Sequence, residues 1–169
     1  MADRVAYDSL FSNSRANVVA LITTTNVPDT TVSSSEYRKR IYARYPDVKA
    51  NDFAGYPFII VHPADPDPEA GGSLNGKSKF INWDIDVEIV TSDRGWGGKD
   101  GQGMADMDAI SDALVKTFNN VTNRVTLGNN SMHFSTATTT SVTSAVESNQ
   151  LVFKRSIMLS FRGKIQVST

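Results

Sequence analysis

The chain has 169 residues, with 17 Lys and Arg against 18 Asp and Glu, two histidines and no cysteine. Its length favours one domain spanning residues 1–169, and its 40% hydrophobic and 21% charged residues are typical of a globular protein. The lack of cysteine excludes disulfides, thiolate metal sites and cysteine nucleophiles, and a net charge of −1 argues against nucleic-acid binding through bulk charge.

The N-terminal region has no apolar segment of the kind found in signal peptides or membrane spans. We therefore expect a protein made in the cytoplasm that has no membrane contact. Residues 1–13 are predicted to form an arm or a short helix. Ser14 is a candidate cap for a second short helix, Arg15 to about Thr24, with a strand as the alternative for its Val, Ile and Thr residues.

Residues 37–45 alternate apolar positions with basic and tyrosine side chains, which predicts an exposed or edge strand. Basic and aromatic residues together suit single-stranded nucleic acid or a protein interface, and the balanced charge of the chain favours the interface. With Trp96 from the glycine-rich segment, the candidate partner-contact residues are Tyr37, Arg38, Arg40, Tyr42, Arg44 and Trp96.

Two further strands are predicted on either side of a long loop, residues 63–79. Pro57 to His62 is a short apolar run of the buried-strand type. Phe80 to Thr91 alternates strictly: Ile81, Trp83, Ile85, Val87 and Ile89 mark one buried face, and Asn82, Asp84, Asp86 and Glu88 mark one wet face.

The glycine-rich segment, residues 92–103, fails the tests for a phosphate-binding loop. Gly98-Lys99 is followed by Asp100 where a hydroxyl residue is needed, and no dinucleotide fingerprint can be completed. Asp65, Asp67 and Glu69 begin like a calcium loop, but its sixth and twelfth positions are Ala70 and Gly76. We expect neither a cofactor nor a bound metal.

The remaining elements complete an α+β pattern. Met104 to Asn119 is predicted as an amphipathic helix through Met107, Ile110, Leu114 and Phe118. A small strand near residues 125–127, a Thr/Ser-rich strand over 132–146, a turn at 147–150 and a strand over 151–167 are predicted to follow. The predicted fold is an antiparallel or mixed sheet with one long hairpin, flanked by two or three helices on one face.

Asp84, Asp86 and Glu88 allow three interpretations. Their spacing of about 6.5–7 Å along a strand resembles that of paired glycosidase carboxylates, although the sequence offers little to build a sugar cleft. They also suit a solvated sheet face paired with Lys154, Arg162 and Lys164, or an acidic patch that serves assembly. Neither His62 nor His133 lies in a catalytic motif, and no nucleophile elbow is present, so we expect no enzyme.

In its layout the chain resembles the tail terminator, or tail completion, proteins of long-tailed bacteriophages and related tailed viruses. The resemblance rests on Ile41-Tyr-Ala-Arg-Tyr-Pro-Asp47, Tyr56-Pro-Phe-Ile-Ile-Val-His62, the strand Ile81 to Thr91, the helix Asp106 to Phe118 and the hairpin Met132 to Ile165. It covers most of the chain in order of elements rather than in signature residues.

The resemblance implies a structural protein of the virion that forms a homo-oligomeric ring, usually a hexamer, at the tail–neck junction. Such a ring caps the tail tube, stops its polymerisation and offers a surface to the neck or head-completion protein, while DNA passes through as cargo. The alternatives are another neck component, such as an adaptor or stopper, and a small module that binds nucleic acid or protein.

The charges are segregated along the chain: Asp84, Asp86 and Glu88 oppose basic positions at Lys154, Arg162 and Lys164. Closure of a ring requires two unlike surfaces on each subunit. We therefore expect the three acidic residues to face a lumen or to meet the basic face next to them.

Overall fold

The computed structural model describes residues 2–25, 40–67, 73–74, 78–93, 101, 103–128 and 132–166. The elements are, in chain order, α1 (Ala2–Thr24), β1 (Ile41–Tyr42), β2 (Phe58–Val61), β3 (Asp65–Asp67), β4 (Ser73–Leu74), β5 (Ser78–Ser92), α2 (Gly103–Asn119), α3 (Val121–Leu127), β6 (Met132–Thr139), β7 (Thr143–Glu147) and β8 (Gln150–Gln166). The predicted α+β class is confirmed.

The sheet is built on two long antiparallel strands. All of β5 pairs with β8, from Ser78 opposite Gln166 to Ser92 opposite Val152. The strand order is β1-β2-β5-β8-β6, with β3 and β4 also on β5 and β7 also on β8. Because β1 runs parallel to β2 and the other pairs are antiparallel, the sheet is mixed, and it does not close.

The apolar face of this sheet carries the main core. The predicted alternation in β5 is confirmed, since Ile81, Trp83, Ile85, Val87 and Ile89 are all buried. Buried residues of α1 and α2 cover them, so the helices lie on one face, as predicted; the helix residues are Leu10, Val18, Ile22, Met107, Ile110, Leu114 and Phe118. None of the described helices combines the length and apolar character needed to cross a membrane.

Helix α1 is continuous, so the predicted break at Ser14 is wrong. Ser14 is fully buried; its Oγ donates to Phe11 O at 2.9 Å and accepts from Trp83 Nε1 at 2.9 Å. The hydroxyl satisfies the buried indole N–H rather than capping a helix. Trp83 also stacks on Phe161, with ring centroids 5.8 Å apart, and meets the edge of Phe11.

Three other sequence predictions need correction. Residues 125–127 belong to α3, because Asn120 Oδ1 accepts from the N–H groups of Thr122 and Asn123 and caps a helix there. Residues 132–146 form two strands, β6 and β7, rather than one. The predicted 63–79 loop contains β3 and β4, which pair with β5.

Two predicted segments lie largely outside the described residues. The predicted strand over 37–45 is present only as β1, Ile41–Tyr42, and residues 37–39 lie outside the described ranges. Most of the glycine-rich 92–103 segment lies outside them too. The turn at 147–150 is confirmed: Ser148 and Asn149 have positive φ, as a two-residue hairpin loop requires.

Among the described residues, the opposite sheet face is covered at one end. There Phe58, Ile60, Val90 and Val152 are buried under Tyr42, Val48, Phe53 and Tyr56, which belong to the chain between β1 and β2 or border it. Aromatic rings meet edge to face in this second cluster, for example Phe53 on Phe58 at 5.6 Å. Beyond the cluster, the described residues leave this face of β5 and β8 uncovered by any helix.

Gly163 tests the packing around Trp83. A Cβ at this position would lie 2.8 Å from Trp83 Cη2 and Cζ3 and 3.1 Å from Leu10 Cδ1. We expect Gly163→Ala to lower the free energy of unfolding by about 1–3 kcal/mol, measured by urea denaturation, because overpacking forces neighbours out of place. In a Trp83→Phe background the same substitution is expected to cost less, since the colliding ring atoms are gone. An equal cost in both backgrounds would contradict this explanation.

Candidate functional site

The acidic positions of β5 lie together on the sheet face that the described helices leave uncovered, which we call the open face. Asp84, Asp86 and Glu88 occupy alternate positions opposite Ser160, Met158 and Ser156 of β8. Strand β3 enlarges the row, since Asp65 pairs in register with Asp84, and Asp67 with Asn82. Placing Asp65 directly opposite Asp84 brings like charges together, which opposes strand pairing. This face therefore concentrates negative charge at some cost in stability.

The row is held by two serines and a histidine. Ser160 Oγ donates to Asp84 Oδ1 at 2.6 Å, and Ser156 Oγ donates to Asp86 Oδ2 at 3.1 Å. His62 follows β2, and its Nε2 lies 2.9 Å from Glu88 Oε2. The two serines fix Asp84 and Asp86 in position without cancelling their negative charge, as a Lys or Arg would.

Asp86 is the most constrained residue of the row. Its second carboxylate oxygen, Oδ1, is buried and has no hydrogen-bond partner. Burial raises the pKa of Asp86 and Glu88 adds to the rise, whereas the Ser156 hydrogen bond and His62 act against it. An orphaned buried oxygen costs stability. Such a cost is a mark of a residue retained for function.

The three basic candidates do not neutralise this row. In the described part of the chain, Lys154, Arg162 and Lys164 form no ion pair with Asp84, Asp86 or Glu88. Lys154 pairs instead with Glu147 at 2.7 Å. The guanidinium of Arg162 stacks on the ring of Phe80, 4.4 Å from its centroid. Contact of the acidic row with basic residues of a neighbouring copy stays a prediction.

Arg162 borders a polar cleft at the end of the row. The cleft has a volume of about 370 Å³, and its lining includes Asp67, Asn82, Asp84, Ser135, Ser160 and Arg162. Lys164 lies one pleat further along β8, exposed and opposite Phe80. Arg162 and Lys164 thus lie beyond one end of the acidic row, and Lys154, opposite Val90, lies beyond the other. In the described residues, no group of His, Asp and Glu has an arrangement that could hold a metal ion.

The partner-contact candidates divide into structural and exposed residues. Arg40 Nη1 donates to Tyr56 O at 3.2 Å, and Tyr42 packs its ring against the edge of Phe58 at 5.7 Å. Both therefore hold the second cluster together. Arg44 is exposed and lines a groove of about 610 Å³ beside it. Tyr37, Arg38 and Trp96 lie outside the described residues.

A clamp that the sequence did not predict joins this segment to the β7–β8 hairpin. Tyr45 Oη donates to Glu147 Oε2 at 3.0 Å, and Lys154 Nζ lies 4.6 Å above the Tyr45 ring while it pairs with Glu147. Burial, in balance with its charged neighbours, raises the pKa of Tyr45 to about 12. The Lys154 hydrogen bond lowers the pKa of Glu147, although burial opposes this.

The comparisons with known proteins assign no family. No protein-family model matches the chain, and no curated protein sequence matches it. Among solved structures, a similar chain comes from the "Virion of native gene transfer agent (GTA) particle", with a TM-score of 0.46 and 18% identity over 90% of this chain and 94% of that chain. At this TM-score the similarity carries no argument about what the present chain does.

Asp86→Asn tests the cost of the acidic row. Because burial raises the pKa of Asp86, its charged form is disfavoured in the folded chain at neutral pH; that penalty fades as the pH falls through the raised pKa and is gone below the ordinary pKa of aspartate. We expect Asp86→Asn to raise the melting temperature at pH 7, with the gain shrinking in acid. Asp84→Asn, whose carboxylate is satisfied by Ser160, is the control and is expected to give no gain. A less stable Asp86→Asn protein at pH 7 would contradict the interpretation.

Glu147→Gln tests the clamp. A carboxyl whose pKa is lowered by folding stabilises the protein above its unfolded pKa, and this contribution disappears as the pH falls through the lowered value. We expect the substitution to cost about 0.2–1 kcal/mol at pH 7 by urea denaturation and nothing in strong acid. The exposed Asp52→Asn serves as the control; a cost for Glu147→Gln that persists unchanged in acid would rule out this origin.

Proposed function

We propose that this chain is a structural protein of a virion, and that it forms the hexameric ring that terminates a viral tail tube. The sequence resemblance supplies the role, and the confirmed α+β fold with helices on one sheet face is compatible with it. In this proposal the helices lie on the outside of the ring, and the open sheet face is turned towards the lumen and the tube partner. The role is assembly rather than catalysis.

The observation that carries the proposal is the acidic row on the open face. Asp84, Asp86 and Glu88 are held by serines and a histidine, and no Lys or Arg among the described residues forms an ion pair with them. A negatively charged lumen repels DNA phosphates, so DNA passes without being retained, whereas a basic lumen would bind it. A need for negative charge in the lumen would explain why a carboxylate occupies position 86 despite its burial, without any substrate.

The surroundings of the acidic row argue against the glycosidase interpretation. Asp84 and Asp86 each accept a hydrogen bond from a serine and lie on an open sheet face beside Met158. Glycoside hydrolysis requires a carboxyl pair that flanks a substrate in an enclosed site. The basic strand interpretation is weakened too, because Arg40 and Tyr42, two of its members, are occupied inside the fold.

The proposed partners follow from the ring. One ring surface meets the last ring of the tail tube protein, and the other meets the neck or head-completion protein, so the chain lies at the tail–neck junction after assembly in the host cytoplasm. The exposed Arg44 and its groove are the described candidates for partner contact. Such head-to-tail closure requires unlike subunit surfaces, and the acidic row with the basic positions beyond its ends supports this.

The charge-reversal variant Asp84→Lys/Asp86→Lys tests the proposal. We expect it either to lose ring formation in mass photometry, if the row forms a subunit contact, or to form rings that retain duplex DNA in a gel shift at low salt, if the row lines the lumen.

The matched control is Asp52→Lys/Asp112→Lys, which changes the net charge by the same amount at two exposed positions away from the row. The control and the unchanged protein are expected to form rings that release DNA. Rings of normal size that ignore DNA, from the acidic-row variant, would contradict the proposal.

A further inference from the structure

The outer edge of the sheet at β6 and β7 has an unusual composition. From Phe134 to Val146 the sequence contains no Lys, Arg, Asp, Glu or Pro, and Thr and Ser dominate it. Strand β6 is the last in the sheet order, and no strand in the described part of the chain pairs with its outer side. Most side chains of this stretch are exposed, including Val146 at 76%.

An edge of this kind is available to pair with another strand. Soluble proteins ordinarily protect free edges with charges, proline, bulges or a covering element. Here the irregularity between Phe134 and Thr136, where Arg124 of α3 donates to Ser135 O at 2.7 Å, protects only the start of β6. Thr140 N donates inward to Ser156 O, and inward positions alternate in an antiparallel pair. The backbone groups of Ala137 and Thr139 therefore point outward, available for pairing.

The absence of charge favours an identical copy as the partner. When two identical strands pair about a two-fold axis, the residue on the axis meets its own copy, so a charge there would face a like charge. A different partner strand would tolerate charges, because it could carry complementary ones. The opposite sheet edge, β1, has only two paired residues, whereas β6 offers eight. A second β6 edge can therefore pair with β6 over more residues than the short β1 edge can.

We propose that two copies of this chain pair through this edge in the free protein, β6 against β6, antiparallel about a two-fold axis normal to the sheet. The contact joins two sheets into one continuous sheet and covers the outward groups of Ala137 and Thr139. This inference does not depend on the proposed tail role. A two-fold pair is also a contact different from the head-to-tail contact of a cyclic ring, so either proposal can fail without the other.

Single-cysteine variants provide the test, because the chain has no cysteine of its own. A two-fold axis normal to a continuous sheet keeps each residue on its own face, so one residue of β6 must lie opposite its own copy. Directly opposite Cα atoms are about 4.5–5.5 Å apart, which is close enough for a disulfide. We expect mild oxidation of Thr136→Cys, Ala137→Cys, Thr138→Cys and Thr139→Cys to crosslink one position strongly and the others weakly.

The controls are Ser12→Cys on α1 and Asp52→Cys between β1 and β2, both exposed and outside the edge strands β6 and β7, which are expected to stay uncrosslinked. Equal crosslinking at all positions, or none at any β6 position, would overturn the proposal. Crosslinks that join Thr138→Cys to Ile41→Cys of another copy, in place of self-crosslinks, would show head-to-tail pairing and would overturn it as well.

Solution mass gives an independent readout. Light scattering is expected to give the unchanged protein twice the mass of its Thr139→Pro variant, whether the 18.4 kDa chains are otherwise single or joined in rings. Thr139→Pro removes an outward N–H and is expected to halve the observed mass, with circular dichroism confirming that the fold persists. A monomeric unchanged protein at its highest soluble concentration would overturn the proposal, as would a folded Thr139→Pro protein that remains dimeric.

Discussion

The antiparallel pairing of β5 with β8 is the constraint on which the other features of the molecule depend. It extends from Ser78 opposite Gln166 to Ser92 opposite Val152, and the other described strands, apart from β1, each pair with β5 or β8. Because side chains alternate along a strand, a slip of one residue would turn Trp83 and Ile85 to solvent and bury Asp84 and Asp86 under the helices. The register therefore fixes the core and the acidic row together.

The two sheet faces have different energetic roles. The helix-covered face supplies the hydrophobic stabilisation, with Trp83 anchored by Ser14 and stacked on Phe161. The open face opposes stability: Asp65 lies opposite Asp84, and Asp86 retains a buried oxygen without a partner. A surface that costs stability and has no local structural purpose is best explained by what happens outside the single chain, which is why we interpret it as a surface used in assembly.

The sequence predicted the elements whose periodicity is strong. The strict alternation of β5 and the spacing of Met107, Ile110 and Leu114 identified a strand and a helix correctly. Prediction from the sequence failed where contacts with distant residues determine the structure. Ser14, for example, binds an indole 69 residues away instead of capping a helix. The clamp joins Tyr45 to Glu147 across 102 residues, and no local pattern encodes such a contact. The acidic row was visible from the sequence, but the serine and histidine partners that hold it were not.

The central claim is that this chain ends a tail tube, with the acidic sheet face turned inward. Electron microscopy of purified tail tubes mixed with the protein tests it most directly. Our account predicts a six-fold ring at the tube end, with β5 lining the opening and the helices outside. Tube ends that remain bare in the presence of excess protein, or a bound ring with the helices lining the lumen, would contradict it.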